Sequence, residues 1–152
     1  MNKFPKTEHL CRKKVIESLF AGKTCSFSLF PIRVVYKEAG DLESEAQVLV
    51  SVSKRHFKRA VKRNHVKRQI REAYRLQKSP LINTLKSQNK CLAIAFIYLS
   101  NSIFDSTIIH QRVHTAIQRL NENLILSPKE WNCCHNSCWF PFSSIRDSFL
   151  PC

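Results

Sequence analysis

Residues 51–75 read SVSKRHFKRAVKRNHVKRQIREAYR. The stretch opens as the end of a strand and continues as a helix. Gln47 to Val50 (QVLV) lead into it, and the β-branched pattern predicts a strand over 47–53. From 58 to 77 the period changes. Val66, Ile70, Ala73 and Tyr74 fall on one side of a helix at about 100° per residue. Asn64, Lys67, Arg68, Arg71 and Arg75 fall in an arc of about 100° on the roughly opposite side. One face of such a helix can enter a core while the other presents four cations and an amide.

The same stretch dominates the charge of the chain. The 152 residues carry 25 Lys and Arg against 11 Asp and Glu, a formal net charge of +14. Residues 54–78 hold eleven of the cations with Glu72 as their one acid, a net of +10, and the other 127 residues net +4. Like charges on one helix face repel, and ordinary helix surfaces relieve this by interspersing acids. The excess therefore points to a polyanionic partner, nucleic acid before an anionic membrane surface. Arginine predominates in the stripe, and guanidinium pairs bidentately with phosphate and stacks on bases. No bulky apolar face of the membrane-surface kind accompanies it. The longest apolar run, residues 91–99, is well short of the roughly 20 that span a bilayer. No apolar signal segment follows Met1-Asn2-Lys3, so a cytoplasmic protein is expected, with no membrane association.

Working outward, residues 7–21 are predicted helical, with Leu10, Ile16, Leu19 and Phe20 at roughly helical spacing, Thr7 as cap and Gly22 as stop. Residues 27–37 are predicted as one strand, with Pro31 marking an edge or bulge. Glu38, Asp41, Glu43 and Glu45 around Gly40 read as a solvated turn that makes this strand and 47–53 a hairpin. The basic helix is expected to stop before Pro80. Residues 90–99 form a continuous apolar run and read as a buried strand. Asp105 or Ser106 can cap a last helix, whose Ile109, Val113, Ile117 and Leu120 form a core stripe. The expected order is α-β-β-α-β-α, with room for an extra short strand: an α/β (α+β) two-layer sandwich over residues 1–126.

The quoted stretch is also specific. Ala60-Val61-Lys62-Arg63-Asn64-His65-Val66-Lys67-Arg68-Gln69-Ile70-Arg71-Glu72, after a strand ending Ser51-Val52-Ser53-Lys54-Arg55, resembles the signature of the bacterial ribonuclease P protein component. That pattern is a strand, a short Ser-Lys-Lys-like turn, then A-x-x-R-N-x-x-K-R-x-x-R-E on a helix, and its fixed positions are all met. Element order and length extend the likeness over residues 3–125.

The resemblance implies a sandwich like the second domain of a ribosomal small-subunit protein, with a left-handed β-α-β crossover. It implies a catalytic RNA subunit that removes the 5′ leader of precursor tRNA, with Mg²⁺ held mainly by RNA and substrate. The protein would bind the catalytic RNA and the precursor, needing no further protein partner and supplying no catalytic residue of its own. Arg63, Asn64, Lys67, Arg68, Arg71 and Arg75 would meet the catalytic RNA, and Lys54, Arg55 and Arg59 would extend that surface. A cleft between the first helix and the sheet would take the leader. Phe20 matches an aromatic position there, Ile16 stands where some relatives carry another aromatic, and Phe30, Arg33 and Tyr36 are candidates from the first strand.

A non-enzymatic RNA- or ribosome-binding protein of related fold is the alternative. A DNA-recognition helix fits less well, because a strand rather than a short helix precedes the basic helix. No carboxylate pair or His/Cys arrangement with metal-ligand spacing stands out in residues 1–126. Residues 127–152 differ in composition, with Cys133, Cys134, Cys138 and Cys152 beside Trp131, Trp139 and several Phe. The spacing C-C-H-x-x-C matches no standard zinc framework. This segment is expected to be a Cys/Trp/Phe-rich tail, disordered or loosely packed.

Overall fold

The computed structural model describes residues 4–21, 24–40 and 42–126. Gly22, Asp41 and the tail expected at 127–152 lie outside them. A single 3-10 turn at Lys6–Glu8 precedes α1 (Lys13–Phe20), β1 (Cys25–Leu29), β2 (Ile32–Glu38) and β3 (Ala46–Val52). Then come α2 (Ala60–Gln77), α3 (Ser79–Gln88), β4 (Leu92–Tyr98) and α4 (Ser106–Leu126).

The strands form one sheet in the order β1-β2-β4-β3. β1 pairs antiparallel with β2, β2 antiparallel with β4, and β3 parallel with β4. The expected hairpin across the acidic turn does not form, because β4 lies between β2 and β3. The reason is burial. Leu92–Tyr98 is apolar on both faces, and such a strand gains most in the sheet centre with both edges paired. The hairpin that does form is β1–β2. The strand expected over 27–37 breaks at Phe30-Pro31, whose cis peptide sits in the two-residue turn between paired Leu29 and Ile32.

Two further expectations change. The first helix begins at Lys13 rather than near Thr7. His9 instead bridges Val48 in parallel, and Leu10 N–H donates to Val48 O at 3.2 Å, covering the outer edge of β3. Pro80 does not end the helical region. It sits in the first turn of α3, where the missing N–H costs nothing. Leu81 and Leu85, four apart, bury that helix, and Asn89 ends it in the left-handed region at φ 50°.

The parity of the strands divides the core. Ile32, Val34, Tyr36, Val48, Val50, Leu92, Ile94, Phe96 and Tyr98 face α2, α3 and α4. The predicted stripes supply the other half: Val66, Ile70, Ala73 and Tyr74 from α2, and Ile109, Val113, Ile117 and Leu120 from α4. Each such large apolar side chain contributes roughly 1.5–3 kcal/mol on burial. Alternate residues Val35, Leu49, Ala93, Ala95 and Ile97 face the other way, under Leu10, Val15, Ile16 and Leu19. α1 is thus the cover of the second face. The connection β3–α2–α3–β4 joins two parallel neighbours, and it is the crossover that the resemblance implies to be left-handed.

Candidate RNA interface

The basic residues gather on α2 and on the loop that leads into it. Lys54 and Arg55 stand on an exposed turn, where Arg55 N–H donates to Ser53 Oγ at 3.2 Å. Phe57 pins the loop by entering the core beside Tyr98, with ring centroids 6.0 Å apart. Arg59 is the residue before the first turn of α2, and no acid occupies that turn. The positive end of the helix dipole therefore adds to Lys58, Arg59 and Lys62 rather than opposing an acid. Folding gains nothing from this arrangement. A phosphate group placed there gains from both sources.

Along the helix the stripe is not uniform. Asn64 and Arg68 are exposed and Lys67 and Arg71 half-buried. Among the described residues, no salt bridge holds Lys67, Arg68 or Arg71. Arg75 differs, because its guanidinium makes a two-point pair with Glu72, Nε to Oε2 at 2.9 Å and Nη2 to Oε1 at 2.5 Å. That contact holds the Glu72 carboxyl below its ordinary range. Arg63 also turns away from solvent, and its Nη1 donates to Phe57 O and Lys58 O, both at 2.7 Å.

The N-terminal segment runs beside this surface. Phe4 packs edge-on against His9 and Tyr74, at centroid distances of 4.3 and 5.8 Å. Glu8 pairs with Lys78 at the end of α2, largely buried. His9 lies near enough to Arg71 to feel its charge. Partial burial first, and the Arg71 guanidinium second, lower its pKa from the ordinary histidine value. No pattern in the sequence singled out His9, because the whole segment read as helix.

Of the leader candidates, the structure keeps three on the α1 side of the sheet or its rim, puts Phe30 in the β1–β2 turn against Phe104, and turns Tyr36 away. Ile16 packs with Leu19 over Val35, Ala93 and Ala95. Phe20, at the end of α1, is 51% exposed. Arg33 is exposed on that sheet face and donates to Ser26 Oγ at 3.1 Å. Phe30 stands in the β1–β2 turn, 61% exposed. Tyr36 is the correction. Its register places it on the α4 side, 5% exposed, where its hydroxyl oxygen accepts from Asn123 Nδ2 at 2.9 Å. A residue three positions from Arg33 on a strand necessarily points to the opposite face.

Among the described residues, no group of three or more His, Cys, Asp or Glu is placed to hold a metal ion, and no helix is long and apolar enough to cross a membrane.

A mixed sheet and a crossover helix on which Lys67, Arg68 and Arg71 fold against no carboxylate among the described residues define a basic α+β RNA-binding protein. Known proteins make this particular. The family profile described as Ribonuclease P matches residues 4–120. A Porphyromonas gingivalis protein named Ribonuclease P protein component is 36% identical over 120 residues, covering 78% of this chain and 87% of its own. One from Chlorobium phaeobacteroides is 33% identical over 138 residues, covering 84% of this chain and 91% of its own. The fold is similar to the Staphylococcus aureus RNase P protein, solved as a mutant with defective mRNA degradation activity. That match has a TM-score of 0.61 at 19% identity, covering 75% of this chain and 88% of the other. The RNase P protein from Thermotoga maritima gives 0.55 at 17% identity, covering 74% and 96%. The chain belongs to the ribonuclease P protein component family, the protein subunits of the tRNA 5′-processing enzyme, whose partner is an RNA subunit.

Proposed function

We propose that this chain binds the catalytic RNA through α2 and the loop before it, and binds the single-stranded leader of precursor tRNA on the α1 side of the sheet. The observation that carries the reading is the bare row of Lys67, Arg68 and Arg71 on a helix whose opposite face is wholly core. Cations that fold against no carboxylate are available to displace counterions from phosphate. The second face suits an unpaired strand. Val35, Ala93 and Ala95 lie buried beneath α1, while Leu49 and Ile97 on the same face stay half-buried, Arg33 offers a cation, and Phe20 stands at the rim for base stacking.

In this reading the protein holds no reacting group. Mg²⁺ would sit on RNA and substrate phosphates and supply the activated water. The chain's own cations lower the repulsion between two RNAs brought together, which lets the metal act at lower concentration. A protein acting on tRNA precursors in this way would reside in the cytoplasm and need no obligate protein partner.

The test is reconstitution of the full chain with a bacterial catalytic RNA and a precursor tRNA at low Mg²⁺. Cleavage should be stimulated, with the stimulation fading as Mg²⁺ rises. A chain that binds RNA but never stimulates cleavage would instead be the non-enzymatic RNA-binding protein of related fold.

A further inference from the structure

The basic loop in front of α2 is held from several sides. Phe57 N–H donates to Ser53 O at 3.4 Å, and the Phe57 ring is core. Arg63 holds the carbonyls of Phe57 and Lys58. Between these anchors His56 reaches across to the segment after β4, where its Nδ1 lies 2.5 Å from Asn101 Oδ1. That segment is pinned in turn. The Tyr98 hydroxyl donates to Ser102 O at 2.6 Å, Ser102 N–H to Ser100 Oγ at 3.1 Å, and Leu99 N–H to Pro31 O at 2.9 Å. The imidazole is therefore fixed between two ordered loops.

The partner decides the chemistry of the ring. An amide oxygen only accepts, so Nδ1 carries the hydrogen. In the neutral ring Nε2 then presents a lone pair. Nε2 has no protein partner among the described residues and is not buried, so that lone pair is open to solvent. Its surroundings single it out. The other polar side chains from 54 to 63 are Lys54, Arg55, Lys58, Arg59, Lys62 and Arg63. Each of them donates and none accepts. His56 is thus the one acceptor side chain in a run of donors suited to phosphate. A phosphate oxygen has no hydrogen to give it. The donor that lies on the nucleic-acid backbone itself, beside the phosphates, is the ribose 2′-hydroxyl, which RNA has and DNA lacks.

We infer that His56 Nε2 accepts a hydrogen bond from a ribose 2′-hydroxyl of the catalytic RNA, so that the loop before α2 selects RNA over DNA while its cations bind phosphate. The inference rests on the proposed binding of the catalytic RNA by α2 and this loop, and adds a source of specificity to it. The cations alone supply affinity without that selectivity, because both nucleic acids carry the same phosphates. Asn101 is the positioning residue. Without it the ring turns freely and its hydrogen exchanges between the two nitrogens, so the acceptor is no longer preorganised.

The experiment uses the full chain and a bacterial catalytic RNA whose riboses are sparsely replaced by 2′-deoxyribose. Bound and free RNA are separated and the replaced positions mapped, for the wild type, His56→Phe and Asn101→Ala, with circular dichroism checking each fold. In the wild type, replacement at a discrete ribose should weaken binding about fivefold, the order of one neutral hydrogen bond. That position should fall silent in His56→Phe and weaken in Asn101→Ala. Nitrogen chemical shifts of the His56 ring should show the Nδ1–H tautomer in the free wild type, a readout that depends on neither variant folding. Identical maps for the wild type and His56→Phe overturn the inference, even where overall affinity falls, and so does an Nε2–H tautomer. An unchanged map in Asn101→Ala overturns the positioning role. A salt slope reduced by about one in His56→Phe, with the map unchanged, would make the ring a cation on phosphate instead. A wild type that fails to bind the catalytic RNA at all removes the reading on which the inference rests, and the inference with it.

Discussion

Arg63 Nη1 lies 2.7 Å from Phe57 O, and from the next carbonyl along, that of Lys58. A side chain with the composition of a phosphate ligand is spent on holding the loop in front of its own helix. No side chain caps α2 at Arg59, so Arg63 supplies the closure from within. Arg63→Ala should cost about 1–2 kcal/mol in urea unfolding, the scale of a charge-assisted bond that is partly solvated. Arg63→Lys keeps the charge and loses the planar two-carbonyl geometry. It should weaken binding of the catalytic RNA nearly as much as the alanine variant. Retention of wild-type affinity in Arg63→Lys would show that charge alone matters there.

The unequal pairing along α2 makes a second prediction. Arg68→Ala should weaken RNA binding and reduce the slope of log affinity against log salt by about one. Arg75→Ala should change the slope less, because Glu72 already neutralises that guanidinium. Glu72→Gln should tighten binding and steepen the slope by freeing Arg75. Salt titrations of the three variants give the order, and equal slopes for Arg68→Ala and Arg75→Ala would contradict it.

Tyr36 and Arg33 separate two roles that one stretch of sequence suggested for both. Tyr36→Phe deletes the partner of Asn123 Nδ2 and should cost about 1 kcal/mol of stability. Precursor affinity should not change. Arg33→Ala should leave stability nearly unaffected and lower affinity for precursors carrying a leader. Thermal unfolding and leader-dependent binding, measured on both variants, test the split.

The same pair shows why the sequence was legible in some places and not in others. The α2 face was legible because a helix of 18 residues repeats its period five times, so Val66, Ile70, Ala73 and Tyr74 could not be misplaced. A strand of seven residues alternates through three periods at most. Val34, Val35 and Tyr36 are all buried, since both faces of the sheet are covered there, and alternation disappears from the composition. The hairpin error has another cause. Pairing of β2 with β4 spans more than fifty residues, and nothing local in the acidic turn reports it. Arg63 and Arg75 were read correctly as part of the basic stretch, but their partners, two carbonyls and one acid, depend on rotamers that composition does not encode.

His9 carries the last prediction. Its pKa lies below the ordinary 6.5 because of partial burial and the nearby Arg71. The folded state therefore takes up a proton less readily than the unfolded chain. The stability this contributes is present above about pH 6.5 and is lost as the pH falls through the lowered value. RNA should reverse the shift. A phosphate on Arg71 cancels the guanidinium field and offers the imidazolium a partner, so the pKa rises in the complex. The complex then binds protons that the free protein does not, and affinity must increase as the pH falls below 7, by up to about tenfold for each unit the pKa rises. NMR titration of the His9 ring, free and with RNA, measures both values. His9→Gln should flatten the pH dependence of RNA affinity between pH 5.5 and 7.5, a range set by the ordinary histidine pKa of about 6.5. An identical profile in the variant would assign the dependence to another group.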